Sequence, residues 1–315
     1  MHSGCHVYGS LNSLTVLFKV VIMQKNFKYK LNVLMFVLPA LLIFTIVVCY
    51  PVMQALYRSL FDWDGLSEPI YIGFKNYIKL FGNDNFYIAN KNGFVFAAMI
   101  TIYQIGFGLI LALILSSKSI RKGRFFRTSF FMPVVISTVI AGQLWLQLYN
   151  PDYGLINKFF EAIGSNYRQA WLNDGKAAIY AVSFVNAWQY MGVHLILIYT
   201  AIKSIPEHYY EAAVLDGAST FRAHGVITLP LLGETFKFCL VISITSGLKA
   251  FNEMYVMTGG GPGTYTNTLT YMMYKQAFMA SNFGYGCSVA AILVIECLFF
   301  TILINRFVAR ERITY

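Results

Sequence analysis

LNVLMFVLPALLIFTIVVCYPVMQALY, residues Leu31–Tyr57, holds no charged side chain. A helix needs about 20 apolar residues to cross the hydrocarbon of a bilayer, and this run exceeds that length, with Pro39 and Pro51 as candidate bends. Comparable runs follow at Gly93–Ser116, Ser129–Tyr149, Ala177–Ala201, Phe236–Thr258 and Tyr285–Val308. Together they predict an all-α integral membrane protein with six transmembrane helices, multi-pass in the cell membrane.

Composition agrees. Charged residues make up 12% and hydrophobic ones 57%, with a mean hydropathy of +0.57, whereas soluble chains carry roughly 25% charge. The net charge of +10 does not indicate nucleic acid, because the basic residues sit beside the apolar runs, where they set topology. Lys25, Lys28 and Lys30 precede the first run. Lys118, Arg121, Lys122, Arg124 and Arg127 fill the second link, and Arg306, Arg310 and Arg312 close the chain. Asp62, Asp64, Glu68 and Asp84 instead balance Arg58, Lys75, Lys79 and Lys91 in the first link. Both termini are therefore expected in the cytoplasm.

The expected organisation is a cytoplasmic segment 1–30, a first span 31–57, an extracytoplasmic loop 58–92, a core 93–308 of five spans, and a cytoplasmic tail 309–315. Residues 1–22 lack an early basic region and are too short in apolar residues to span. Met23, opening MQKNFKYKLN, is the expected natural start, with 1–22 disordered or unphysiological. The cysteines (Cys5, Cys49, Cys239, Cys287, Cys297) and histidines (His2, His6, His194, His208, His224) show no metal-ligand spacing, so neither a metal site nor a catalytic cluster is expected.

The link between the fourth and fifth runs, residues 204–232, is more structured than a connector requires. Ser204 and Glu207 stand at capping-box spacing, with Pro206 between them. Gly217 suits a left-handed helix end, and Ser219 or Thr220 suits the cap of a second short helix that Pro230 follows. The expected product is a helix–turn–helix elbow on the cytoplasmic face.

Within that elbow Glu211, Ala212, Ala213, Gly217, Ile227, Leu229 and Pro230 spell EAAxxxG followed by IxLP. This resembles the signature loop of binding-protein-dependent ABC importer permeases (type I importer fold, both termini inside). The resemblance implies that the elbow, Asp216 included, docks on a cytosolic ATPase. It also implies two ATPase subunits that bind ATP and Mg, a second homologous permease forming a heterodimer, and an extracytoplasmic solute-binding protein. No cofactor is expected on this chain: it has no GxxxxGK[ST] loop, and Gly259–Gly263 lacks the lysine of phosphate chemistry.

Thr258-Gly-Gly-Gly-Pro262, followed by Thr268–Phe278, is similar to the sugar-permease branch, on the larger-subunit side of maltose-type permeases, without that subunit's large outer insertion. By register from the elbow, Asn186, Gln189, Tyr190, Ser246, Gly247 and Ala250 match positions lining the sugar pocket there, and Asn186 is the retained polar contact. Divergence at the others points to a different cargo. Asn186, Gln189 and Tyr190 share one helical face, as do Ser246, Lys249, Ala250 and Glu253. Each is either a substrate-path residue or a helix-packing contact. Lys249 and Glu253 read either as a mutual ion pair or as ligand contacts, and Glu296 as an intramembrane carboxylate of functional or interface role. The implied function is ATP-driven import of a di- or oligosaccharide. A glycerol phosphate cargo is the alternative, and an ion-gradient transporter a more distant one, since no internal repeat is evident.

Overall fold

The computed structural model describes residues 33–117 and 122–308. The expectations for 1–30, for Lys118 and Arg121, and for the tail 309–315 with Arg310 and Arg312 lie outside the described residues. The chain divides into two compact units at Tyr57–Arg58. The described residues of the first unit belong to the helix α1 (Val33–Arg58), whose last residue falls in the second unit. The helix widens by one turn at Thr45–Cys49, just before Pro51, where the missing proline N–H would otherwise leave a carbonyl without its donor.

The second unit opens with a two-stranded antiparallel ribbon, β1 (Phe61–Asp62) and β2 (Ile70–Tyr71), pairing Phe61 with Tyr71. A short helix α2 (Lys75–Phe81) leads to α3 (Asp84–Ser116). The side chain of Asn83 accepts from the N–H of Asn85 at 3.0 Å and starts α3 well before Gly93, so the segment 58–92 is largely structured rather than a loop. At 33 residues α3 is about 50 Å long, longer than the roughly 30 Å hydrocarbon of a bilayer.

The expected span Ser129–Tyr149 is a bent pair, α4 (Gly123–Val135) and α5 (Thr138–Leu148), at 99°. Pro133 supplies no N–H, the last turn tightens over Met132–Val135, and Ile136 is extended. A carbonyl released inside a membrane must find a donor; that of Ile136 accepts from Gln189 Nε2 at 2.7 Å. α6 (Leu155–Ala162) lies in the following link.

Next comes α7 (Gly175–Ser204), capped by Asp174, which accepts from Lys176 N at 3.0 Å. That N–H is the first reason the Asp174 carboxyl titrates below its ordinary range.

The elbow consists of α8 (Glu207–Leu215) and α9 (Thr220–Leu231), and α10 (Gly233–Leu248) leaves α9 at 67°. The expected fifth span, Phe236–Thr258, is also broken. α10 ends at Leu248, Lys249–Phe251 are non-helical, and a wide turn, Met254–Thr258, follows the break. The carbonyls of Leu248 and Ala250 are met by the hydroxyls of Thr270 (3.2 Å) and Thr268 (3.4 Å). Those threonines open α11 (Leu269–Tyr274), which continues as a wide turn, Lys275–Met279, before α12 (Phe283–Phe307). Among the described residues four helices are long and apolar enough to cross a membrane alone, and counting each bent pair as one span gives up to six.

Helix crossings use small residues, as membrane packing favours. A Cβ on Gly247 would lie 2.6 Å from Ala97 Cα, where α10 meets α3. Gly247→Leu is therefore expected to cost about 1–3 kcal/mol through overpacking, seen as a lower thermal midpoint of the purified protein. An unchanged midpoint would contradict the close crossing.

Candidate functional site

The elbow is built from local signals and one buried node. Gly217 has φ +76, and the backbone closes over it with Gly217 N to Val214 O at 3.0 Å and Ala218 N to Ala213 O at 2.8 Å. This is the paired bonding of a glycine-terminated helix. Ser219 caps α9, accepting from Arg222 N at 3.3 Å. The capping box does not form, because α7 continues through Ser204, whose hydroxyl donates back to Ala201 O at 2.8 Å. α8 starts after Pro206 without a side-chain cap. Pro230 lies within α9 near its end rather than beyond it.

Thr228, fully buried, ties the two arms: its hydroxyl bonds Tyr210 OH at 2.8 Å and His224 Nδ1 at 2.9 Å. Glu211, Ala212, Asp216, Gly217, Leu229 and Pro230 are exposed, and Ala213 and Ile227 half-buried. Leu215 and Phe221 stand 88% and 90% exposed at the tip. A stiff hydrogen-bonded elbow with an apolar tip is suited to hold a protein partner.

A cavity of about 370 Å³ lies between α3, α5, α7, α10 and the break after Leu248. Of the expected path residues, Asn186, Tyr190, Ser246, Lys249, Ala250 and Glu253 line it. Gln189 and Gly247 do not: the first is spent on Ile136 and the second on the Ala97 crossing. Tyr190 OH bonds Thr138 Oγ1 at 2.9 Å across to α5. Gln104 Nε2 donates to Asn186 Oδ1 at 3.0 Å, and Asn186 Nδ2 donates to Glu253 Oε1. This chain of three buried groups runs from α3 through α7 to the break. No ion pair joins Lys249 to Glu253, because the helix ends at Leu248 and the one-face spacing is lost.

Gln104, Thr138, His194, Phe251 and Asn252 also line the cavity and were not anticipated. Gln104 and His194 carried a usable signal, being polar residues inside apolar runs; Phe251 carried none. Glu296 lies apart from the cavity, accepting from Asn90 Nδ2 on α3 at 2.7 Å. No group of three metal-ligating side chains occurs among the described residues.

Residues 104–313 match the model of the family described as "Binding-protein-dependent transport system inner membrane component". The chain is 38% identical over 276 residues to the "Probable ABC transporter permease protein YurN" of Bacillus subtilis, covering 87% of this chain and 94% of that one. It is 33% identical to the diacetylchitobiose uptake system permease protein NgcF of Streptomyces coelicolor, over 84% of this chain and 78% of that one. Its fold is that of a chain in a bacterial ABC transporter involved in the import of the acidic polysaccharide alginate. The TM-score there is 0.77 at 22% identity, over 93% of this chain and 99% of that one. Six apolar spans, an elbow before the fifth and this match have one conclusion: the chain belongs to the binding-protein-dependent transport system inner membrane components and is a multi-pass permease of an ABC importer.

Proposed function

We propose that this permease carries a di- or oligosaccharide from an extracytoplasmic binding protein to the cytoplasm, with ATP and Mg held by two partner ATPase subunits and a second permease completing the pore. The observation that carries the cargo reading is the cavity lining. It combines hydrogen-bonding groups that suit hydroxyls (Asn186, Tyr190, Ser246, Asn252, Glu253) with an aromatic face, Phe251. A sugar needs both, since its hydroxyls require partners on desolvation and its C–H faces stack on rings. Uptake by the diacetylchitobiose relative supports the same class.

The elbow supports the energy reading. Glu211, Ala212, Ala213, Asp216, Gly217, Ile227, Leu229 and Pro230 form the contact with the ATPase. The Tyr210–Thr228–His224 node makes that contact stiff enough to transmit its motion. Closure of the ATPase pair on ATP moves the elbow and opens the cavity outward; hydrolysis reverses it.

The deciding measurement is uptake of labelled mono-, di- and oligosaccharides and glycerol phosphate in cells with and without the gene. Loss of saccharide uptake on deletion is the expected result; loss of glycerol phosphate uptake alone would replace the sugar cargo. Depleting ATP while the proton gradient is held should stop uptake, and continued uptake would favour a gradient-driven transporter.

A further inference from the structure

Phe251, which walls the cavity, is also the first ring of an aromatic file leading away from it. Its ring centroid lies 5.1 Å from that of Tyr274, Tyr274 is 5.7 Å from Phe278, Phe278 is 5.3 Å from Phe283, and Phe283 is 5.7 Å from Trp63. Tyr255 stacks on Phe251 at 5.4 Å and 23°. The file thus passes from the break, along α11 and its wide turn, to the start of α12 and the ribbon segment. Tyr255 and Phe278 are 50% and 64% exposed.

Aromatic rings at the rim of a membrane protein ordinarily form an interfacial belt, and this chain has a second file for comparison, centred on the buried Tyr149. It links Phe184, Trp145, Tyr149, Trp171 and Tyr167, and none of these residues lines the cavity. The first file differs in two respects. It ends in the cavity wall. It is also flanked by cations, with Arg58 Cζ 4.8 Å from the Trp63 ring and Lys275 Nζ 5.9 Å from the ring of Tyr271, which stacks on Phe251 at 6.3 Å.

We propose that this file is a guide rail for a saccharide chain, binding pyranose rings through their C–H faces on the way into the cavity. The inference rests on the carbohydrate reading of the cargo and extends it to a path and to a preference for chain length. Near-equal steps of 5.1–5.7 Å let a sugar ring exchange one aromatic face for the next without a deep trap. Stacking leaves the hydroxyls free for water throughout.

The test uses the complete importer in proteoliposomes with its binding protein and labelled di- and trisaccharides of glucose and of N-acetylglucosamine. Phe278→Leu keeps apolar bulk and removes the ring; it should raise KM for a transported trisaccharide about fivefold, with the maximal rate held within about twofold. Phe278→Tyr should restore KM, and Tyr167→Leu in the second file should leave it unchanged.

An unchanged KM in Phe278→Leu, with saccharides still carried, overturns the rail and leaves the cargo reading standing. Loss of the second permease from the purified Phe278→Leu complex overturns it too, by making the face a subunit contact. Failure of the unsubstituted importer to carry any saccharide removes both readings.

Discussion

Gly217→Pro is expected to reduce ATP-dependent uptake about a hundredfold while the permease still reaches the membrane. Proline fixes φ near −65° and has no N–H, whereas Gly217 sits at φ +76 and donates to Val214 O at 3.0 Å. Both requirements fail together, at a cost of about 3 kcal/mol or more, which is about a hundredfold in the population of the native elbow. Gly217→Ala keeps the N–H and faces only the left-handed penalty of about 1–2 kcal/mol, so uptake should fall about tenfold. No Cβ contact lies within 4 Å of Gly217, so the graded effect reports backbone conformation rather than a clash. Paired assays of uptake and of ATPase co-purification read it. Full uptake in Gly217→Pro would remove the elbow from the coupling path, and Glu211→Lys tests the same contact through charge.

The second large effect is expected at Asn186. Asn186→Leu leaves Gln104 and Glu253 without their shared partner, and Glu253 is only 6% exposed. Stranding a buried neutral group costs about 1–3 kcal/mol; stranding a buried charge costs about 3–5 kcal/mol. The drop in thermal midpoint of the purified complex therefore also reports which form the Glu253 carboxyl takes. Asn186→Leu combined with Glu253→Leu should recover much of the loss, since the carboxyl is then gone. A single variant as stable as the parent would mean that the three-group chain does not hold the break against α7.

The spans were legible because each is a long apolar run, and the elbow because glycine, serine and the alanines act within a turn of themselves. The two breaks were not equally legible. Pro133 announces the first in the sequence, but the second has no proline at Lys249–Phe251. It persists because Thr268 and Thr270, about twenty residues on, take the freed carbonyls, and such a partner is invisible to any local pattern. The misread capping box has the same origin: Ser204 has a cap's chemistry, yet the packed helix before it runs on and claims its backbone. At the cavity, one-face spacing correctly gathered Asn186 with Tyr190 and Ser246 with Lys249. It could not foresee that Gly247 serves a backbone crossing with Ala97.

On the proposed coupling, the break after Leu248 also limits how work reaches the cargo. An unbroken rod pushed at its inner end slides as a piston and delivers its displacement along its own axis. Here the rod is cranked at both ends, by 67° at the elbow and again at Lys249–Phe251. The inner segment Gly233–Leu248 can therefore swing about its crossing with α3. Under that coupling, such a stroke would turn the cavity wall sideways about a break whose Leu248 and Ala250 carbonyls stay tied to Thr270 and Thr268.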